Sequence, residues 1–310
     1  MKVGVVGAGN VGSTVAQHIV EKELAELALV DAEEGLAKGK ALDLEQAGAI
    51  LGADVHISGS TDIALLAGSD VVVVAAGFPR QPGMERIDLL TKNVGVIEEV
   101  CEGVRKHAPS AILIMVTNPL DVLSYVAWKV TRFPRERVIG MAGILDSARL
   151  RTFLAKELDV SPKEISATVL GGHGETMVPL LRLIRAFGVT EVTGMLPGEK
   201  IGSVVSRTVS AGAEIVALYK RGGAFYAPGA AVFQMVDSIL RDRKSVFPCS
   251  VLLQGEYGLW DVFLGVPVKL GRAGMEGVVE IELQEEELRS LQDAARRTKK
   301  AIGEAMSILG

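Results

Sequence analysis

The stretch "KVGVVGAGNVG", residues 2–12, decides the fold class of this protein. Its first half is a run of β-branched and small apolar residues, which predicts a buried β-strand. Its second half places Gly7, Gly9 and Gly12 in G-x-G-x-x-G spacing. The first glycine permits a tight turn, the second lets a ligand approach the backbone, and the third lets helix and strand pack closely. The stretch therefore predicts a β-α-β unit that binds a pyrophosphate at its helix N-terminus.

An acidic residue follows at the end of the next predicted strand. Asp31 closes the run "LALVD", at about the distance from the glycine turn where a carboxylate receives a ribose 2′-hydroxyl group. A carboxylate there repels a 2′-phosphate, so the sequence predicts NAD rather than NADP as the cofactor. In the alternative interpretation, the glycines only form a turn and Asp31 only caps a loop.

Short apolar runs alternate with helical patterns through the first half of the chain. Strand, helix and strand repeated in this way predict an α/β fold with a Rossmann-type, doubly wound parallel sheet. The six predicted strands are "KVGVVGAG", "LALVDA", "DVHISGS", "SDVVVVAAG", "AILIMVTNP" and "RVIGMAG". Between them, helical periodicity is clearest in "VGSTVAQHIVEKEL" and "LLTKNVGVIEEVCEGVRKHAP".

The pattern changes after about residue 145. "DSARLRTFLAKEL" and "EKIGSVVSRTVSAGAEIVALYKR" have helical periodicity, and "GVVEIEL" predicts a strand before a closing amphipathic helix. No internal repeat or low-complexity linker separates the two halves. We therefore predict an NAD-binding domain at residues 1–144, fused to an α+β substrate domain at residues 145–310.

Composition limits the classes of partner. The chain has 310 residues, of which 48% are hydrophobic, and its net charge of −5 provides no overall basic field for nucleic acid or an anionic membrane. The run "VVVVAAGF" is far shorter than the roughly 20 apolar residues that span a bilayer, and the N-terminus lacks the features of an export signal. Cys101 and Cys249 have neither metal-ligand spacing nor a disulfide framework. We expect a cytoplasmic protein without a metal, a nucleic-acid partner or a membrane partner.

Three short motifs carry polar side chains that are candidates for chemistry. His173 lies between glycines in "VLGGHGET", Asp146 and Arg149 are three residues apart in the predicted helix of "GILDSARLR", and Asn118 ends a predicted strand in "VTNPLD". In open α/β sheets, ligands bind at the carboxyl ends of the strands. Each motif also has a plain structural interpretation, namely a structural histidine, a surface ion pair on a helix and an Asn-Pro turn.

The segment "GFPRQPGMER", residues 77–86, places Arg80 and Arg86 where glycine and proline disfavour regular structure. A guanidinium group is a planar fork of donors that binds a carboxylate with two parallel hydrogen bonds. The segment therefore predicts an acidic ligand that is bound by local charge, since the chain as a whole is acidic.

Taken together, these motifs resemble the lactate/malate dehydrogenase family in both order and approximate spacing. "GAGNVG", "GFPRQPGMER", "VTNPLD", "LDSAR" and "GGHGE" extend the resemblance over essentially the whole chain. The resemblance implies an NAD-dependent oxidoreductase of the tricarboxylic acid cycle that forms a homo-oligomer, a tetramer rather than a dimer. It also implies cofactor contacts at Gly7, Gly9, Asn10, Val11, Gly12, Asp31, Asn93, Val116 and Asn118.

The same resemblance implies a role for each candidate side chain. His173 exchanges a proton with the substrate oxygen, and Asp146 holds the imidazole ring and stabilises its charged form. Arg149 binds the C1 carboxylate of the substrate. Arg86 polarises the reacting carbonyl group, and Asn118 orients cofactor and substrate.

Arg80 occupies the position that distinguishes substrates in this family, where lactate dehydrogenases usually have glutamine. The resemblance implies that Arg80 pairs with the C4 carboxylate of oxaloacetate, so that the reaction interconverts (S)-malate and oxaloacetate. The alternatives are a lactate dehydrogenase, a promiscuous 2-hydroxy-acid dehydrogenase, an NAD-dependent glycosidase and a non-catalytic NAD(H) sensor. The glycosidase needs metal ligands that are scarce here, and a sensor has little reason to retain His173, Asp146 and the arginines.

Overall fold

The computed structural model describes residues 1–78 and 86–310, apart from the side chains of Glu34 and Arg86. The first half of the chain alternates strands and helices. The strands are β1 (Lys2–Val6), β2 (Glu26–Val30), β3 (Ile57–Ser60), β4 (Val71–Val74), β5 (Ile112–Met115) and β6 (Val138–Met141). The helices are α1 (Asn10–Glu21), α2 (Glu34–Leu51), α3 (Arg86–His107) and α4 (Leu120–Thr131).

The second half combines helices with antiparallel strands. Its helices are α5 (Gly143–Leu158), α6 (Gly198–Tyr219), α7 (Tyr226–Leu240) and α8 (Glu285–Leu309). Its strands are β7 (Ile165–Ser166), β8 (Val169–Gly171), β9 (Met177–Pro179), β10 (Arg185–Ala186), β11 (Thr190–Glu191), β12 (Ser245–Gln254), β13 (Trp260–Gly271) and β14 (Gly274–Val278).

The main sheet confirms the predicted fold class. Its first part is parallel and has the order β3-β2-β1-β4-β5-β6. Successive strands are therefore added on one side of β1 up to β3 and on its other side from β4 onward. The sheet then continues with antiparallel strands in the order β12-β13-β8-β9. In sheets of this kind, the crevice at the reversal is where a nucleotide binds.

The strands form where apolar residues run without interruption. Every residue of β4, "VVVV", is fully buried, and the residues of β5, "ILIM", are nearly so. Such runs need cover on both faces of the sheet. Helices from the second half supply part of that cover, because α7 packs on α1 while α8 packs on α3 and α4. The hydrophobic core is therefore continuous through both halves.

The predicted boundary at residues 144/145 falls in the first turn of α5. The main sheet does not break there, since Gly140 of β6 pairs with Ser250 of β12. The two predicted domains therefore share one sheet, and the position of the boundary stays a prediction.

Two details of the sequence interpretation were wrong. The predicted strand "GVVEIEL", residues 277–283, begins three residues after the start of β14 and extends too far, because β14 covers Gly274–Val278 and residues 279–284 form no strand. His56 lies just before β3 and not within it. The helices α2 and α4 were not assigned from the sequence, and the small sheet β11-β10-β7 was not foreseen.

Among the described helices, α6 alone has the length and apolar composition that could cross a membrane. Only 22% of its most apolar window is buried. Its exposed side carries two ion pairs, in which Lys200 contacts Glu157 at 2.7 Å and Arg207 contacts Glu214 at 2.8 Å. The absence of a membrane partner stays a prediction.

The close packing of α1 on the glycine turn predicts a stability difference between two glycine variants. A Cβ atom at Gly12 would lie 2.0 Å from the carbonyl oxygen of Gly7, whereas one at Gly9 would meet nothing within 4 Å. We expect Gly12→Ala to lower the free energy of unfolding by about 1–3 kcal/mol, because the helix must shift. Urea denaturation measures this, with Gly9→Ala as the matched control. Equal unfolding midpoints for the two variants would contradict the packing argument.

Candidate active site

A buried carboxylate joins two cations at the predicted site. Asp146 is in the first turn of α5 and is 1% exposed. Its Oδ2 accepts a hydrogen bond from Nδ1 of His173 at 2.9 Å, and its Oδ1 accepts one from Nη1 of Arg149 at 3.3 Å. The Arg149 side chain is 10% exposed, so the pair is not the surface ion pair of the alternative interpretation.

His173 lies in the turn between β8 and β9, and its side chain is 30% exposed. The hydrogen bond to Asp146 uses Nδ1 and fixes the orientation of the ring. Nε2 is the ring nitrogen that remains for proton exchange. Burial by itself lowers the pKa of His173. The hydrogen bond and charge of Asp146, together with the charge of Asp121, outweigh burial and the positive charge of Arg149, so the pKa is raised above its ordinary value. The ring is therefore suited to take up a proton.

Asp121 is a further charged group at the site, and the sequence analysis did not single it out. It is the last residue of the motif "VTNPLD" and lies in the first turn of α4. The hydroxyl group of Ser250 donates a hydrogen bond to Oδ1 of Asp121 at 2.6 Å, and the backbone N–H of His173 donates another to the carboxylate. Burial raises the pKa of Asp121 to about 6. Its position at the carboxyl edge of the predicted sheet was the available sequence signal.

The glycine turn has the properties of an anion-binding site. Gly9 precedes α1, and no described side chain caps the start of that helix, so its first N–H groups remain available to a ligand. Asp31 is held beside the turn, because its Oδ2 accepts the N–H of Ala8 at 2.7 Å and its Oδ1 accepts the N–H of Glu33 at 3.0 Å. A pyrophosphate and an adjacent ribose fit this arrangement, since the space at Gly9 is open.

One cavity extends from Val11, in the first turn of α1, to His173. It has a volume of about 260 Å³. Its lining combines residues predicted for the cofactor with residues predicted for the substrate: Val11, Val116, Asn118, Leu120, Met141, Leu145, Arg149, His173, Gly212, Val216, Gly223, Ala224 and Pro228. A larger cleft of about 650 Å³ also reaches His173 and Asn118, and it is bordered by α8. The cavity brings predicted cofactor and substrate residues to one place.

The structure does not describe the side chains of Arg80 and Arg86, and Asn93 does not line this cavity. Arg80 lies outside the described residues, and Arg86 is described only as the first residue of α3. Asn93 is 1% exposed, and its side-chain amide binds the backbone of Phe78 and Asn118. The contact of Asn93 with the cofactor stays a prediction.

Metal-ligating side chains do not cluster in the described part of the chain, where no group of three or more His, Cys, Asp or Glu could hold an ion. Cys101 and Cys249 are fully buried, and burial raises the pKa of both thiols. The polar groups around His173 are therefore those available for acid/base chemistry.

Comparison with known proteins gives the same family for both halves. Residues 1–140 match the model of the lactate/malate dehydrogenase NAD binding domain, and residues 144–308 match that of the lactate/malate dehydrogenase alpha/beta C-terminal domain. The malate dehydrogenase of Chlorobium luteolum is 48% identical over 311 residues, which cover 100% of each chain.

Solved structures of the same family superimpose closely. The apo malate dehydrogenase of Picrophilus torridus matches with a TM-score of 0.96 and 42% identity, over 99% of this chain and 98% of that one. The lactate dehydrogenase of Cryptosporidium parvum, in complex with lactic acid and nicotinamide adenine dinucleotide, matches with a TM-score of 0.94 and 35% identity, over 99% and 97%. The fold alone therefore does not separate the two activities.

The charge of Asp121 predicts the direction of a pKa change at His173. Asp121→Asn keeps the size of the side chain and removes a negative charge that raises the pKa of His173. We expect the pKa of His173 to fall, as measured by NMR from the pH midpoint of its ring-proton shifts. Ser124→Ala is the matched control, because Ser124 is also buried in α4 and is uncharged. An unchanged midpoint in Asp121→Asn would show that Asp121 is not ionised when His173 titrates.

Proposed function

The chain belongs to the lactate/malate dehydrogenase family, and from this premise we propose that it catalyses the reversible, NAD-dependent oxidation of (S)-malate to oxaloacetate. The observation that carries the proposal is the Asp146 carboxylate, which bridges His173 and Arg149 beside a cavity that reaches the start of α1. This arrangement provides a proton acceptor and a carboxylate anchor next to a nucleotide site.

Each side chain around the cavity has a separate role in the proposed reaction. Arg149 binds the C1 carboxylate of malate, which places the C2 hydroxyl group near the His173 ring. His173 takes the hydroxyl proton, and Asp146 stabilises the imidazolium ion that forms. NAD+, held at the glycine turn and by Asp31, would supply the acceptor for the hydride from C2. In the reverse direction, protonated His173 returns the proton to the carbonyl oxygen.

The cofactor site follows from the geometry of the glycine turn. The N–H groups at the start of α1 hold the pyrophosphate, and the open space at Gly9 lets it approach the backbone. Asp31 receives a ribose hydroxyl group. Because Asp31 is fixed by the N–H groups of Ala8 and Glu33, its negative charge stays where it would repel a 2′-phosphate.

Arg80 is the residue that we propose to select malate over lactate. Its guanidinium group pairs with the C4 carboxylate of oxaloacetate. Pyruvate has only a methyl group there and would leave a desolvated guanidinium unpaired, at a cost on the order of 2–5 kcal/mol. Arg86 stabilises the negative charge that develops on the reacting carbonyl oxygen. Support for both roles comes from the sequence and from relatives that are malate dehydrogenases.

The alternatives are less well supported by the same observations. Lactate dehydrogenase activity is disfavoured by Arg80 and not by the fold, since the lactate dehydrogenase of Cryptosporidium parvum superimposes with a TM-score of 0.94, equal to that of the malate dehydrogenase of Aeropyrum pernix. A sensor would not need the Asp146–His173 pair, and a metal-dependent glycosidase would need ligands that the described residues do not group together.

We also propose that the protein works as a cytoplasmic homo-oligomer, a tetramer rather than a dimer, in the tricarboxylic acid cycle. Large apolar side chains exposed on α2 and α6 support association of copies: Leu42, Ile50, Leu51, Val216, Leu218 and Tyr219. Apolar surface of this kind is commonly covered in an assembly.

Arg80→Gln tests the substrate assignment. In the unchanged protein, we expect kcat/KM for oxaloacetate to exceed that for pyruvate by more than about a hundredfold with NADH, because only oxaloacetate pairs with Arg80. In Arg80→Gln the ratio should collapse or invert. Arg132→Gln, an exposed arginine at the far end of α4, is the control and should keep the ratio. Comparable rates on both substrates in the unchanged protein would identify a promiscuous 2-hydroxy-acid dehydrogenase.

His173→Asn tests the proton transfer. We expect turnover to fall by about 10²–10⁴-fold, because asparagine cannot accept the hydroxyl proton, while NADH binding measured by fluorescence titration persists. The control is His56→Asn, an exposed histidine before β3. Normal turnover in His173→Asn would rule out this residue as the acid/base.

A further inference from the structure

A buried carboxylate beside His173 has no direct part in the proposed proton transfer. Asp121 lies in the first turn of α4 and is 8% exposed. Removing a carboxylate from water is costly unless other groups compensate, so the groups that bind Asp121 indicate what it does. Its donors are the hydroxyl group of Ser250 and the backbone N–H of His173. Asp121 therefore joins neutral groups from two other parts of the chain.

These hydrogen bonds bring three elements of the fold to one carboxylate. Ser250 belongs to β12, is fully buried, and donates its hydroxyl group to Oδ1 of Asp121 at 2.6 Å. His173 belongs to the turn between β8 and β9. Ser250 also pairs with Gly140 of β6, so it lies where the parallel and antiparallel parts of the main sheet meet. The sheet thus holds Asp121, and Asp121 holds the turn.

The turn lies so close to Asp121 that the residue before His173 has no room for a side chain. A Cβ atom at Gly172 would lie 3.1 Å from Oδ2 of Asp121 and 2.4 Å from Oγ1 of Thr176. The backbone N–H of Gly172 donates to the carbonyl oxygen of Thr176 at 3.2 Å, which closes the turn. One oxygen of Asp121 therefore faces Ser250 and the other faces the turn. The orientation of this carboxylate decides where the backbone of His173 lies.

We infer that Ser250 is a positioning residue for the acid/base histidine, because its hydroxyl group fixes the orientation in which Asp121 binds the backbone N–H of His173. This inference rests on the proposed function. Asp146 fixes the ring of His173 through Nδ1, whereas Asp121 fixes the backbone from which the ring extends. A proton acceptor must be held within a fraction of an ångström of its productive position.

Ser250 acts through Asp121 and not through contact with the substrate. It is fully buried, and it is not among the described residues that line the cavity or the larger cleft. Asp121 itself borders the larger cleft beside His173. The hydroxyl group of Ser250 therefore supports the site from the side of the sheet.

The hydroxyl group of Ser250 also favours the ionised form of Asp121. Burial raises the pKa of Asp121 to about 6, and the hydrogen bond from Ser250 is the largest of the effects that lower it. Without that hydrogen bond the pKa rises further, so between about pH 6 and the raised value Asp121 is mostly charged only in the unchanged protein. A neutral Asp121 binds the backbone N–H of His173 less strongly and no longer raises the pKa of the ring.

The charged groups around Asp121 stay the same when Ser250 is replaced. Those on the turn and on α5 are His173, Asp146 and Arg149, and those along the larger cleft are Glu175, Arg297, Lys300 and Glu304. A change in the pH profile of a Ser250 variant is therefore assigned to the missing hydroxyl group and its effect on Asp121.

Two buried serines give a matched pair of variants. Ser250→Ala removes the hydrogen bond to Asp121. Ser124→Ala is the control, because Ser124 is also fully buried and its hydroxyl group has no hydrogen-bond partner among the described residues. The two serines flank one point, since a Cβ atom at Gly140 would lie 2.8 Å from Oγ of Ser124 and 2.9 Å from Cβ of Ser250. Both variants remove a hydroxyl group from the same part of the core, and only Ser250→Ala removes a hydrogen bond.

The experiment measures kcat/KM for oxaloacetate with NADH as a function of pH, and the pKa of His173 by NMR without substrate. For Ser250→Ala we expect kcat/KM to fall about tenfold at about pH 7, through kcat, because a hydrogen bond to a charged group is lost. The loss should shrink to less than about threefold at about pH 9, where Asp121 is ionised in both proteins. The pKa of His173 should fall, and the Kd for NADH should change by less than about twofold.

Ser124→Ala should keep the pH profile, the pKa of His173 and the Kd for NADH of the unchanged protein. A loss in Ser250→Ala that is equal at every pH, with an unchanged pKa of His173, would overturn the inference, because the hydroxyl group would then serve the fold only. Weaker binding of NADH with an unchanged kcat would overturn it as well. If Ser250→Ala does not fold, Ser250→Cys decides between these outcomes, since a thiol group is a weaker donor.

The proposed function is tested by the unchanged protein in the same assay. If the unchanged protein does not reduce oxaloacetate, the proposed function fails and the inference fails with it. If it reduces oxaloacetate and Ser250→Ala keeps both the full kcat and the pKa of His173, the positioning role of Ser250 fails and the proposed function stands.

Discussion

The buried carboxylate of Asp146 is the group on which the geometry of the site depends. Removing a carboxylate from water costs several kcal/mol unless nearby cations and hydrogen bonds compensate. Asp146 is 1% exposed, and its two oxygens are satisfied by His173 and Arg149. The same two side chains are the proton acceptor and the carboxylate anchor of the proposed reaction. The requirement to stabilise a buried charge therefore orients the groups that the chemistry needs.

The continuous sheet brings these groups together from distant parts of the chain. Asp121 lies in the first turn of α4, which follows β5, and Asp146 lies in the first turn of α5, which follows β6. His173 follows β8. The first two come from the parallel part of the sheet and the third from the antiparallel part. Pairing of β6 with β12 joins the two parts, and Ser250 of β12 also binds Asp121. A site built on one sheet is held more firmly than a site between two tethered domains.

Much of the fold was predictable because its determinants are local in the sequence. A few neighbouring residues are enough to predict the glycine turn, the position of Asp31 and the apolar parallel strands. The predicted partners Asp146 and His173 are 27 residues apart, and their contact followed from the family resemblance more than from spacing. The strand prediction for "GVVEIEL" was too long, because alternating residues show a strand pattern but not where its partner strand ends.

The residue that sequence reasoning missed at the site has partners that are distant in the sequence. Asp121 accepts hydrogen bonds from Ser250, which is 129 residues away, and from the backbone N–H of His173. Asn93 is predicted to contact the cofactor, and its described hydrogen bonds to Phe78 and Asn118 were not foreseen from the sequence. No pattern of residue types within α3 shows which backbone groups an amide will reach, since that depends on how α3 packs in the folded chain. Such assignments need coordinates.

The two buried carboxylates that face His173 are not equivalent. Asp146 contacts a guanidinium group, whereas the hydrogen-bond donors to Asp121 are a hydroxyl group and a backbone N–H, so burial dominates and raises its pKa from 3.8 to about 6. The folded state therefore binds the carboxyl proton of Asp121 more tightly than the unfolded chain does. The stability contributed by Asp121 falls as pH rises from about 4 to about 6. Near neutral pH the fold therefore contains a charge that it disfavours.

That charge becomes favourable when His173 takes the substrate proton, because the ring then carries a positive charge that Asp121 faces. An interaction that strengthens as the reaction proceeds lowers the barrier, whereas one of constant strength does not. Burial raises the pKa of Asp121 although the charge of His173 lowers it. The pKa of His173 is raised, against burial, mainly by Asp146 and to a smaller extent by Asp121. In the proposed reaction, a loss of stability in the resting protein thus favours the charged state formed during proton transfer.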